Sequence, residues 1–160
     1  MIRRVLFAVA LLLVPALGLA ADDPFEGDPH QSRAWPELKR EYLGAKARVV
    51  FDKRVEVQGP SFAEDPMNVP ITVRVKGLAD VQRVIVLVDR NPIRKVLEYR
   101  PLDALPVIGF RFKLEQASPV RAAVQTKDGQ WHVGSIWVDS SGGGCTVNGA
   151  SRSDGSWSQT

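Results

Sequence analysis

The only cysteine of the 160-residue chain, Cys145, closes a run of small residues, Ser140-Ser141-Gly142-Gly143-Gly144-Cys145. A solitary thiol cannot staple its own fold, and the residues beside it have no side chains with which to build a core. The chemistry open to it is carriage of a group, pairing with another chain, or acceptance of a lipid or an electron. Its unperturbed pKa of about 8.5 leaves only a few per cent ionised at neutral pH, so activation has to come from the site that receives it. The two histidines, His30 and His132, are too far in sequence from the cysteine and from each other to give metal-ligand spacing. A Cys145–His132 nucleophile pair is conceivable because the last apolar segment ends beside the glycines. A nucleophile must be held rigidly, however, and a Gly-rich arm does the opposite. There is no Gly-x-Ser-x-Gly, no P-loop and no dinucleotide fingerprint. The readings are therefore no catalytic residue, no metal and no cofactor. Arg90, Arg94, Lys95 and Arg100 form a basic cluster around Asn91-Pro92 that reads as a solvated face or a contact for an acidic partner.

The arm needs something to carry it. The first twenty residues have a short basic start, Arg3-Arg4, an apolar run from Val5 to Leu19, and small residues at Gly18 and Ala20. This is the pattern of a secretory signal peptide, 1–20, and about 15 apolar residues are too few for a membrane span. Export to a bacterial periplasm is expected, with no membrane span after cleavage. The leader holds two arginines and no acid, which leaves 19 basic residues against 18 acidic ones. That near-neutral balance removes support for nucleic-acid binding.

Residues 21–44 read as an extended lead-in followed by a short helix that opens on Trp35-Pro36 and stops at Gly44. Residues 45–139 read as β structure. Ala45 to Phe51 and Arg54 to Val57 are two short strands, compatible with a hairpin. Val69, Ile71, Val73 and Val75 alternate with polar residues in the clearest half-buried strand, and Pro70 puts its start at an edge or an irregular point. Val81 to Asp89 is more continuously apolar and reads as more central. Arg94 to Tyr99 and Ile108 to Leu114 follow, and Val120 to Thr126 meets Gln130 to Val138 across a hairpin at Asp128-Gly129. Trp131 and Trp137 fall on one face of the last strand and read as core. About seven strands with this turn chemistry indicate an all-β, immunoglobulin-like antiparallel β-sandwich. Residues 140–160 hold six Ser and five Gly and read as a flexible C-terminal arm, with Cys145 roughly 20 Å from the sandwich if extended.

In order along the chain stand Asn68-Val69-Pro70-Ile71-Thr72-Val73-Arg74-Val75, Val84 to Asp89 with Asn91-Pro92, Ser118-Pro119-Val120-Arg121-Ala122, Asp128-Gly129 and Gly143-Gly144-Cys145. This series resembles the SoxY family of thiosulfate-oxidation carriers, and most of all the SoxY half of SoxYZ-like carriers associated with quinoprotein dehydrogenases. The resemblance implies an immunoglobulin-like sandwich and carriage without catalysis. It places a covalent sulfur intermediate on Cys145, with Gly142, Gly143 and Gly144 as the arm. It also implies a SoxZ-like β-sandwich partner and periplasmic sulfur-oxidising enzymes that work on the cargo. The alternative it leaves open is a non-catalytic accessory of a periplasmic PQQ-dependent alcohol dehydrogenase, in which Arg94 or Arg100 on the sandwich would matter more than the thiol. A third alternative is a Cys145 disulfide in a homodimer. The chain departs from the family's Gly-Gly-Cys-Gly-Gly arm at Thr146-Val147 and has 15 residues after the cysteine. It reads either as a shortened SoxYZ fusion or as a SoxY-like chain with a separate partner.

Overall fold

The computed structural model describes residues 23–141; the leader 1–20 and the arm residues Gly142, Gly143, Gly144 and Cys145 lie outside the described residues. A short helix, α1 (Trp35–Leu38), opens with proline in its first turn and runs into one π-helical turn, Lys39–Leu43. Gly44 ends it at φ +112°, a backbone state that L side chains rarely adopt. The wider turn brings Leu38 and Leu43, five residues apart, onto the buried face, while Tyr42 is only half-buried.

Eight strands follow: β1 (Val49–Phe51), β2 (Val55–Gln58), β3 (Val69–Val75), β4 (Val81–Val88), β5 (Lys95–Tyr99), β6 (Val107–Phe112), β7 (Ser118–Thr126) and β8 (Trp131–Val138). They form a five-stranded sheet, β1-β8-β7-β4-β5, and a three-stranded sheet, β2-β3-β6. The immunoglobulin-like sandwich expected from turn spacing is what the chain adopts. Pairing is antiparallel except for β1, which runs parallel to β8. That overturns the hairpin reading of β1 and β2. Asp52 closes a turn between them (its carbonyl accepts the Val55 N–H at 3.0 Å), but β1 pairs with Val133 and its neighbours while β2 pairs with Val75 and its neighbours.

The strand β3 buries Val69, Ile71, Val73 and Val75 and turns Pro70 and Arg74 outward, as alternation requires. It is the middle strand of its sheet. Pro70 sits opposite Arg111 of β6, beyond Gln58, where β2 stops, so its missing N–H interrupts no ladder. Asp128-Gly129 makes the β7–β8 turn, with Gly129 at φ +79° and its N–H bonded to the Thr126 carbonyl at 2.9 Å.

The large sheet is covered on both faces, which explains the continuous apolar runs. Val84, Val86 and Val88 of β4 and Val120, Ala122 and Val124 of β7 face the small sheet. Ile85, Leu87, Ala123, Trp131 and Val133 face the other way, against Trp35, Leu38 and Leu43. The lead-in is therefore not extended: it folds through successive turns, with the Asp23 carboxylate accepting the N–H groups of Phe25 and Gly27.

Candidate functional site

The described chain ends at the root of the arm, and the root is fixed. Asp139 donates its N–H to the Ser61 carbonyl at 2.8 Å, and its own carbonyl accepts the Ala63 N–H at 2.7 Å. These two bonds form a parallel bridge between Asp139 and Phe62 just beyond β8. The Asp139 side chain accepts the indole N–H of Trp137 at 2.6 Å, and Val138 is fully buried. Asp139, six residues before Cys145 in the sequence, is thus held by two backbone bonds and one side-chain bond. Beside the root, Pro60, Phe62, Glu64, Asn68 and Arg111 line a shallow groove of about 290 Å³.

Trp137 is not a core residue, although it shares a strand face with the buried Trp131. Trp131, on the same face, lies in the cluster beneath α1, but Trp137 sits farther along β8, half-buried, with the Arg90 guanidinium 5.1 Å over its ring. The difference is what covers the face: α1 stops short of the strand's far end, and only the lead-in reaches there. His30 from the lead-in stands 6.3 Å from Trp137, with its Nε2 3.0 Å from Ser135 Oγ. Burial, then the Arg121 charge, holds His30 below the usual imidazole range, favouring its neutral form.

His132 takes no part in the arm root. It lies seven residues before Asp139, about 23 Å along a strand, with Nδ1 donating to Asp52 Oδ2 at 2.8 Å. Both histidines therefore make structural contacts, and the Cys145–His132 pair gains nothing from the geometry. The basic cluster is dispersed as well. Arg94 meets Glu37 at 3.1 Å, Lys95 meets Glu98 at 3.1 Å, and Arg90 turns to Trp137 and the Ala117 carbonyl. Among the described residues no group of three His, Cys, Asp or Glu side chains could hold a metal ion.

The strongest electrostatic feature escaped the sequence reading. Arg121, on the outer face of β7, is fully buried and grips two carboxylates at once. Its Nε and one terminal nitrogen bond Asp89 at 2.7 and 2.8 Å, and its two terminal nitrogens bond Asp28 at 2.6 and 2.9 Å. The guanidinium also lies 4.7 Å over the Trp35 ring. Burial alone would raise the Asp28 carboxyl; the bonds from Arg121 and from the Ser32 N–H outweigh it and hold the group below the usual carboxylate range. A lone arginine inside Val120-Arg121-Ala122-Ala123-Val124 was the signal: a charge in a strand buried on both faces demands charged partners.

A family model for the sulfur oxidation protein SoxY matches residues 39–145, a span that ends on Cys145. Among solved structures, the sulfur carrier protein SoxY from Chlorobium limicola f thiosulfatophilum superposes with a TM-score of 0.59 at 16% identity, covering 66% of this chain and 90% of that one. A superoxide reductase (neelaredoxin) from Ignicoccus hospitalis gives a TM-score of 0.47 at 12% identity, over 54% of this chain and 79% of that one. No curated protein matches in sequence.

Proposed function

The chain belongs to the SoxY family of sulfur oxidation proteins, and from that premise we propose that it is a periplasmic carrier holding a sulfur intermediate covalently on Cys145 for partner enzymes. SoxY proteins are sulfur carriers and not catalysts. The single observation that carries the finer reading is the extent of the family match, which runs through the sandwich and stops at the cysteine that ends Gly142-Gly143-Gly144-Cys145.

The chemistry follows from a thiol and an external activator. With thiosulfate as cargo, the Cys145 thiolate and thiosulfate join through a new S–S bond to give Cys145–S–S–SO₃⁻. Two electrons leave to a redox cofactor of the oxidising partner. Water then attacks the terminal sulfonate sulfur, releasing sulfate and two protons and leaving a Cys145 persulfide anion. Neither step needs a catalytic group on the carrier. What the carrier contributes is a fixed root at Asp139, a reach of roughly 20 Å if the six residues to Cys145 extend, and three glycines without bulk beside the thiol. The leader-like residues 1–20 support export. Among the described residues no helix is long and apolar enough to cross a membrane. A SoxZ-like β-sandwich is the proposed partner subunit.

Intact-mass measurement of the periplasmic protein, incubated with thiosulfate and its oxidising partners, tests the proposal. The expected result is a thiosulfonate adduct that maps to Cys145 and is absent from Cys145→Ser. An unmodified Cys145 under turnover would refute it.

A further inference from the structure

Three cations share a cleft that no carboxylate lines. It has a volume of about 310 Å³ and lies where β4 begins and the β7–β8 turn closes, between Gln82, Arg83, Arg100, Gln125, Lys127 and Gly129. Other clefts of similar size each include an acid, Asp52, Glu64, Glu115 or Asp80. The chain without its leader is almost balanced in charge, so three cations with no acid mark a local excess. The cleft stands apart from the arm: Trp131, which opens β8, and Asp139, just beyond its end, are eight residues and about 26 Å apart along the strand.

The donors are held in place. Arg83 Nε donates to Gln125 Oε1 at 2.9 Å, and the guanidinium packs 4.9 Å over the Trp131 ring. Because the Gln125 oxygen faces Arg83, its amide NH₂ is the end left for a ligand. Arg100 and Lys127 form no ion pair among the described residues. The acids nearby are engaged elsewhere. Glu98 meets Lys95 at 3.1 Å and Arg83 only at 3.6 Å. Asp128 accepts the Thr126 hydroxyl at 2.6 Å and the Gln130 N–H at 3.2 Å. The cleft therefore offers N–H donors and positive charge with no carboxylate of its own to neutralise them.

We propose that this cleft binds a small tetrahedral dianion, sulfate or thiosulfate. Arg100 and Lys127 supply most of the charge, and Arg83 with the Gln125 amide fixes the anion's place by hydrogen bonds. Hydrogen phosphate carries a proton at neutral pH, finds no carboxylate there to accept it, and is disfavoured. Chloride has charge but no set of oxygens to meet several donors at once. Thiosulfate and sulfate are also the ions consumed and released in the chemistry proposed for Cys145. The donors call for such a dianion independently of that chemistry, at the opposite end of the sandwich from the arm.

Isothermal titration of the protein, as purified from its host, with sodium sulfate, thiosulfate, phosphate or chloride tests this at neutral pH and constant ionic strength. The expected result is saturable binding of sulfate and thiosulfate, about tenfold or more tighter than phosphate, and no saturable binding of chloride. Arg100→Gln combined with Lys127→Gln should weaken sulfate binding about tenfold or more. Both side chains are exposed, so the unfolding temperature in chloride should not change. Lys46→Gln combined with Lys53→Gln removes the same charge from exposed positions outside the cleft and should leave the affinity as it was. Equal weakening in the two double variants would reduce the effect to net charge and overturn the site. So would the absence of saturable binding, or phosphate bound as tightly as sulfate. Carriage is read separately, from the mass of Cys145, and stands or falls on that measurement alone.

Discussion

Arg121 and Asp28 lie 93 positions apart in sequence, yet their side chains meet through two hydrogen bonds of 2.6 and 2.9 Å in a site closed to solvent. This pair ties the N-terminal lead-in to the middle strand of the large sheet. It makes residues 23–44 a third layer of the domain, with Trp35 and Leu38 buried over Ile85, Leu87 and Trp131. Asp89 completes the arrangement from the end of β4, so one guanidinium joins three segments of chain.

Removing Arg121 should be severe. Arg121→Met leaves two carboxylates buried without a cation, and the expected loss is about 3–5 kcal/mol of unfolding free energy. Arg121→Lys should recover only part of it, since an ammonium cannot form two bidentate pairs. Urea unfolding followed by tryptophan fluorescence checks both. A change below about 1 kcal/mol for Arg121→Met would mean that the buried pair contributes little net stability.

Acid should weaken the fold in two stages. His30 faces Arg121, Asp28 and Asp89, and its folded pKa lies below the unfolded value, so the unfolded chain takes up its proton first. Stability is then complete above about pH 7 and falls as pH drops through about 6.5. Asp28 is also depressed, chiefly by Arg121 once burial is overcome, and Asp52 is depressed chiefly by Arg54. Their contribution is present above about pH 4 and is lost below it. Urea midpoints at a series of pH values check this. His30→Gln, which keeps a polar contact for Ser135, should flatten the upper stage and leave the lower one.

Closure of the β2–β8 side depends on Gly134. A Cβ there would lie 1.8 Å from the Val55 carbonyl oxygen and 2.8 Å from its carbon. The obstacle is backbone, so the strand must shift. Gly134→Ala is expected to cost about 1–3 kcal/mol. Gly109→Ala is the matched control, because its Cβ would meet only Thr72 Oγ1 at 3.7 Å; it should be neutral or slightly stabilising. Chemical denaturation of the two variants separates packing from strand propensity.

Much of this architecture was legible because it is written in local patterns. Alternation placed β3 and its buried valines, Asp128-Gly129 placed the last hairpin, and Trp35-Pro36 and Gly44 bracketed the helix. Pairing between β1 and β2 was not legible, since a two-residue gap at Asp52-Lys53 fits a hairpin and a sheet change equally well. Only the distant partners Val133 and Val75 decide it. The lead-in was misread for a related reason: Asp28 looks like any loop carboxylate until Arg121 is known to face it. Of the candidate site, the cysteine and its glycines stand out in sequence, while the bridge that holds Asp139 is formed by Ser61 and Ala63, almost eighty positions earlier.

The arm root offers a test that links structure to carriage. Asp139→Ala removes the acceptor for the Trp137 indole N–H but keeps the backbone bridge to Ser61 and Ala63, so stability should fall by only about 0.5–1.5 kcal/mol. Trp137, released, can swing away from Arg90 and alter the surface from which the arm departs. If a fixed root helps present Cys145, kcat/KM of the oxidising partner with this protein as substrate should drop several-fold, while the alkylation rate of the free thiol stays unchanged. Asp139→Asn keeps a side-chain carbonyl as acceptor and should restore turnover. Equal kcat/KM for Ala, Asn and the parent protein would show that the anchor serves the fold alone.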